Sequence, residues 1–391
     1  MSELIQAATI RNNTRWKLLL GASTLSFMAY LGSVAPGLAE DQDKPQVWID
    51  LGGQLSRLGD GQETFSPSIM SGRPSMFDPS GPYERPPQFG FDEEGSISFQ
   101  PKGTDWVLSA AVRYGRASAN HNHHQQTYPS PFRLHFTFSG YPVHFTRYPA
   151  GAKFADTESR INDSHLVLDF QVGKDVGLGL FNSGTGSSII STGVRFAQFS
   201  SRTNTALKSG PDWHFNYVYH PSLVTYYGAA SSKLAFDQAF HSNLASLQAS
   251  RSFHGVGPSI SWTASAPFAG NEDRGQLSLD WGINGAVLFG RQRATVNRQS
   301  TQYYEKSGIG IAPHRYVIGT PQLHSTARSR IVTVPNVGGF AGLSFKYATA
   351  KVSFGYRADF FFGAMDGGID TRKTYDRSFY GPFVTIGIGF P

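Results

Sequence analysis

The chain has 391 residues, no cysteine, 39% hydrophobic and 16% charged residues, and a formal net charge of +6. The lack of cysteine excludes a disulfide framework, a thiolate metal site and a lipid-modified N-terminal cysteine, and the modest charge without a basic stripe makes no case for nucleic-acid binding. Glycine is abundant at 43 and aromatics reach 14%, led by Phe 30 and Tyr 17; this is poor material for a helical enzyme and suits a barrel with one apolar face, interface aromatics and many turns.

At the N-terminus, Arg11, Arg15 and Lys17 precede an apolar run over 18–32 that ends in a small-x-Ala site. That order predicts a secretory signal peptide over 1–39, cleaved after Ala39, with 40–391 as the mature chain. The run is short for a membrane anchor and carries Gly, Ser and Thr. No later stretch is apolar and long enough for a spanning helix.

Strands are then read from period-two alternation. Over 46–58, Val47, Ile49, Leu51 and Leu55 alternate with Trp48, Asp50, Gln54 and Ser56. Residues 59–104 are rich in proline, which cannot donate to a ladder, and read as a long excursion. Residues 105–116 set Trp106, Leu108, Val112 and Tyr114 against Ser109 and Arg113. His121, His123 and His124 follow in a stretch of loop composition with no cysteine or nearby carboxylate, so no metal site is assigned. A further strand over 132–146 is kinked at Gly140 and Pro142.

The pattern resumes over 164–174, where Leu166, Leu168, Phe170 and Val172 oppose His165, Asp169 and Gln171. Residues 188–200 set Ile190, Val194 and Phe196 against Ser191 and Arg195. The mixed, Ser-rich stretch over 201–251 is a loop or hides a hairpin in its 215–220 and 233–240 portions, and strands at 252–266 and 276–290 follow. The second is the clearest in the chain: Leu277, Leu279, Trp281, Ile283, Val287 and Phe289 against Ser278, Asp280 and Asn284. Residues 291–330 form a third excursion. Strands 331–347 and 351–362 flank a turn at 348–350, the latter placing Arg357 and Asp359 opposite Phe354, Tyr356 and Phe360.

The last strand, 379–390, organises the rest. Val384, Ile386, Ile388 and Phe390 share one face, and Phe383, Thr385, Gly387 and Gly389 the other. Its length suits a tilted crossing of a hydrocarbon layer, and an aromatic near its end suits a barrel-assembly signal. An open sheet edge cannot sit in lipid, so the other strands must close round to meet it. The rival is an edge strand of a soluble β-sandwich. Against that rival, connections alternate between short and long, as periplasmic turns and outer loops do. The fold expected is all-β: a transmembrane antiparallel up-and-down β-barrel of about ten strands, with eight or twelve also compatible. Long outer loops are expected near 59–104, 201–251 and 291–330.

In such a barrel, Asp50, Arg113, Asp169, Arg195, Asp280, Asn284, Arg357 and Asp359 would line the lumen. Both signs are present, so they can pair or line a wet channel; left unpaired and dry they would be costly. Ten strands enclose a narrow lumen, which implies a small, restricted diffusion pore or a plugged barrel. An enzyme is not expected. Ser164, His165 and Asp169 lie within one strand, but His165 and Asp169 are about 13 Å apart by strand rise, beyond hydrogen-bond reach. No HExxH or phosphate-binding glycine loop occurs.

Three blocks, 193–215, 251–270 and 355–390, resemble the Legionella-type major outer membrane protein family, described as pore-forming. The resemblance implies a porin-like barrel in the outer membrane of a Gram-negative bacterium. It also implies contact with outer-membrane lipid, lipopolysaccharide and the barrel-assembly machinery, and loops open to host or environmental surfaces. A homo-oligomer is compatible with it. The family supplies no catalytic residue, cofactor or metal to carry over. Pro391 after Phe390 departs from an aromatic terminus, and the stretch holding His121, His123 and His124 has no placed counterpart. A closed structural or adhesive barrel, acting through its loops, is the alternative.

Overall fold

The computed structural model describes residues 46–59, 87–126, 132–138, 141–147, 154–176, 187–219, 234–271, 274–308, 311–317, 322–367 and 373–390. Residues 1–39, expected as a signal peptide cleaved after Ala39, the stretch 60–86 and Pro391 lie outside these residues.

Thirteen strands are present among the described residues. They are β1 (Gln46–Gly59), β2 (Phe89–Gln100), β3 (Trp106–Gln126), β4 (Phe132–Phe138), β5 (Tyr141–Arg147), β6 (Phe154–Asp175) and β7 (Ser187–Tyr219), followed by β8 (Leu234–Asn271), β9 (Gly275–Gly308), β10 (Ile311–Val317), β11 (Gln322–Tyr347), β12 (Ala350–Asp366) and β13 (Thr374–Phe390). The main sheet runs β9-β11-β12-β13-β1-β2-β3-β6-β7-β8, and β8 pairs back onto β9. Ten antiparallel strands therefore close a ring, with β10 added on the far end of β9. The terminal strand lies between β12 and β1, with Phe390 opposite Val47 and Val384 opposite Gly53.

The ring has ten strands for a reason the alternation only half reveals. Residues 132–146 do not enter it; β4 and β5 form a separate two-stranded hairpin. In their place stands β2, inside the proline-rich stretch 59–104. There Phe89, Phe91, Ile97 and Phe99 face outward and Asp92, Glu94, Ser96 and Ser98 inward. Glu93, on the outer parity, interrupts the apolar face and hides the strand from a pattern reading. The long loops expected at 201–251 and 291–330 are corrected too: β7, β8, β9 and β11 run through most of both as continuous ladders, and the hairpin alternative for 215–220 and 233–240 is the upper end of the β7–β8 pairing.

Both ends of the described chain and the tight turns lie at one rim. The β8–β9 turn there uses Gly270 and Gly275 at φ 85° and 105°, a backbone that L side chains rarely adopt. At the opposite rim the strands are far longer than a bilayer needs. On β9 the outward residues are apolar over 277–289, from Leu277 through Trp281 and Ile283 to Phe289. At the usual tilt this is a band of about 30 Å. From Arg291 onward the outward residues are polar, and the inner face carries small and apolar residues among polar ones. Ala294 and Val296 of β9 join Ala155, Leu207, Ala245, Leu247 and Ala249 in a buried cluster. The wall is thus apolar outside within the band, and above it an apolar cluster packs on the inside instead.

Candidate functional site in the barrel interior

All eight polar residues expected in the lumen face the interior. Asp50, Arg113, Asp169, Arg195, Asp280, Asn284 and Arg357 line a cavity of about 400 Å³ on the short-turn side. Asp359 sits behind it, fully buried against Arg113. The cavity floor is set by Asp50, which accepts from Ser96 Oγ at 3.0 Å, and by Asp280, which accepts from Ser265 Oγ at 2.6 Å and pairs with Lys351 at 2.7 Å.

Above the floor, guanidinium groups tie the wall together. Arg195 makes a bidentate pair with Asp169 of the neighbouring strand, Nε to Oδ1 at 2.7 Å and Nη2 to Oδ2 at 2.9 Å. Its Nη1 also donates to Asn284 Oδ1 at 2.6 Å and to Asn336 Oδ1. Asn336 in turn donates Nδ2 to the Phe360 carbonyl at 2.9 Å. Arg113 of β3 pairs with Asp359 of β12, four places round the ring, and Arg357 of β12 pairs with Glu94 of β2, three places round. The Arg357 guanidinium also lies 4.7 Å from the centroid of the Phe383 ring. Such pairs cross the lumen instead of lining it. Gly338 makes this crowding feasible, since a Cβ there would come 2.0 Å from Asp359 Oδ1.

Next comes an apolar layer that the alternation missed. Phe199, Phe253, Phe361 and Phe379 are 0–1% exposed and pack with Val167, Leu288, Val334 and Met365. Ring centroids lie 4.8 Å apart for Phe199–Phe361, 5.7 Å for Phe199–Phe379 and 5.8 Å for Phe199–Phe253. Phe199 stands on β7 and Phe379 on β13, five places apart in a ring of ten. Their contact spans the diameter, so the lumen is closed at this level. The signal was available: each of these four phenylalanines sits on the inward parity of its strand, where a wet channel has no use for it.

Two buried polar pairs border the plug. Arg377 Nη2 is 2.8 Å from Asp163 Oδ2, and His165 Nε2 is 3.3 Å from Asp92 Oδ2. Asp163 lies above Leu166, where the outward apolar run Leu166, Leu168, Phe170 and Val172 of β6 ends. Its burial alone would raise the carboxyl pKa; Arg377, Ser201 and Arg251 outweigh this and hold it below the usual carboxylate range. Gly115 clears space for the other pair, since a Cβ there would meet His165 Cε1 at 2.2 Å. His165 therefore engages Asp92, while Asp169 engages Arg195. Ser56 Oγ donates to Asp92 as well. The hydroxyl and the imidazole thus approach the same carboxylate oxygen, Asp92 Oδ2.

Elsewhere, His121 and His123 stack at 6.4 Å and His124 pairs with Asp156. Among the described residues no three His, Cys, Asp or Glu side chains are grouped to hold a metal. Of the terminal-strand residues, Val384 and Ile386 are exposed on the outer face, with Ile388 and Phe390 half-buried on the same parity.

Ring closure, the outer apolar band and the filled interior define a transmembrane β-barrel with an internal plug. No family profile and no curated protein matches the chain. Among solved structures it aligns with the transport unit of the autotransporter AIDA-I from Escherichia coli at 8% identity, covering 94% of this chain and 98% of that one with a TM-score of 0.21. It aligns with the P. putida toluene transporter TodX at 8% identity over 89% and 90%, TM-score 0.20, and with Vibrio cholerae OmpT at 9% identity over 90% and 99%, TM-score 0.13.

Proposed function

We propose that this chain is a bacterial outer-membrane surface protein whose transmembrane lumen is shut at rest, and which works through the part of the barrel that stands above the membrane. The single observation behind this reading is the Phe199–Phe379 contact across the full width of the ring. Water cannot form a continuous column through four packed phenyl rings. The wall above them is long, polar outside and continuous with the connections between β3 and β6, β7 and β8, and β9 and β11, which suits binding at the cell surface. No catalytic step or cofactor enters this reading. Kinship with the Legionella-type major outer membrane proteins belongs to the same proposal.

A second reading, a passive diffusion pore for small solutes, is favoured by the two-signed cavity on the short-turn side. It requires the plug to move. Planar-bilayer recording from purified, refolded protein separates the two. Silence from wild type together with steps from a Phe199→Ala/Phe379→Ala variant supports the shut barrel, and wild-type steps support the pore. Deleting 127–153 is expected to abolish surface attachment while the unboiled barrel still migrates fast on a gel.

A further inference from the structure

Above the apolar band, the wall formed by β7, β8, β9 and β11 has an unusual charge balance. Neither face carries a single Asp or Glu over 198–210, 242–254, 291–303 and 325–331. Inward cations on β11 have internal work: Arg328 and Arg330 meet Asp366, and Arg330 Nε donates to Gln292 at 2.6 Å. Three outward arginines do not. Arg202, Arg291 and Arg293 are exposed and make no ion pair among the described residues.

Other outward arginines of the barrel differ. Arg57 lies over the Tyr380 ring at 6.0 Å, Arg116 over Tyr114 at 4.7 Å, and Arg160 pairs with Glu158 at 2.8 Å. The unpartnered ones cluster. Arg291 is opposite His254, Arg293 is opposite Ser252, and Arg202 is opposite Ser250, one outward step further along the ladder. Two strand spacings and one outward step put Arg202 and Arg293 about 12 Å apart. Arg291 follows Phe289 directly, so the cluster begins where the apolar band ends, on the rim away from the tight turns.

We propose that this cluster binds the phosphate groups of the glycolipid in the outer leaflet. The occupant must be anionic, because three guanidinium groups without counter-charge face it beside serine hydroxyls. It must also be a lipid, because the cluster is continuous with the membrane band; its acyl chains would lie along Val256, Ile283 and Phe289 while its phosphates met Arg291, Arg293 and Arg202. The proposal rests on the transmembrane-barrel reading alone and is independent of whether the lumen conducts.

The test uses full-length mature protein refolded into phosphatidylcholine vesicles containing either bisphosphorylated or dephosphorylated lipid A. Flotation and heat-modifiable migration report insertion; lipid A retained after mild detergent extraction, read by native mass spectrometry, reports the cluster. Wild type is expected to retain the bisphosphorylated form about tenfold or more over the dephosphorylated one. Arg291→Gln/Arg293→Gln should lose that preference with insertion unchanged, and Arg57→Gln should keep it. Should the double variant fold poorly, Arg202→Gln and Arg293→Gln singly are each expected to lower the preference. Equal retention by wild type and variants overturns the proposal. Displacement by inorganic phosphate at equal concentration overturns the lipid assignment in favour of a free-anion site. A chain that inserts into neither vesicle overturns the membrane reading and this one with it.

Discussion

Arg195 shows how single residues hold this interior. Its guanidinium satisfies a carboxylate and two side-chain amides on three other strands. Replacing it with Met leaves Asp169 charged and unpartnered beside the cavity, and breaking such a pair costs about 3–5 kcal/mol. The urea midpoint of refolded Arg195→Met should fall accordingly. Arg195→Met/Asp169→Leu should recover part of the loss, because the stranded charge goes with its partner. Asp163 gives a pH signature. Its pKa is lowered in the folded barrel, so the stability it contributes is complete above the unfolded value of about 3.9 and fades as pH falls through the folded one. Denaturation midpoints of wild type should therefore drop on acidification below about pH 4, and Asp163→Asn should lack that part of the slope.

At the scale of the strand, the outer face is divided sharply along β9. Ile283 sits mid-band, and an arginine there should destabilise the barrel by about 2–4 kcal/mol. Thr295→Arg, on the same face above the band, should be close to neutral. Paired urea titrations in lipid vesicles would show the contrast, and equal effects would mean the band is misplaced. The same division explains what was legible in the sequence. Residues 276–290 and 379–390 declare themselves because lipid on one side and a polar lumen on the other enforce strict alternation. The eight polar residues of the lumen could be picked out for that reason. By contrast, β2 was obscured by Glu93 and its proline-rich surroundings, and with it went Asp92 and Glu94, the partners of His165 and Arg357. The expected ten strands and the ten of the ring differ in one member: residues 132–146 form the separate β4–β5 hairpin and β2 takes that place. In the long upper halves of β7, β8 and β9 the alternation is faint, because no lipid makes the outer face apolar there. Ala245, Leu247 and Ala249 alternate with Ser246, Gln248 and Ser250 there, but in residues too small to stand out.

Taken whole, the barrel stacks three interiors along one axis: a wet charged cavity, a phenyl plug with ion pairs on either side, and an apolar-lined upper wall. Paired charges alone would leave water-sized gaps, while apolar residues alone would leave no reason for the cavity. The combination makes a membrane plug with a solvated foot and a tall outer wall. With no cysteine in the sequence, a single-cysteine scan along β9 can read every layer without background. In intact membranes, a water-soluble maleimide should spare the outward positions from Leu277 to Phe289, react from Arg291 upward, and spare inward Leu288 within the plug. Ready labelling of Leu288→Cys from the aqueous phase, or labelling of Ile283→Cys as fast as of Arg293→Cys, would contradict a closed barrel seated in lipid at that height.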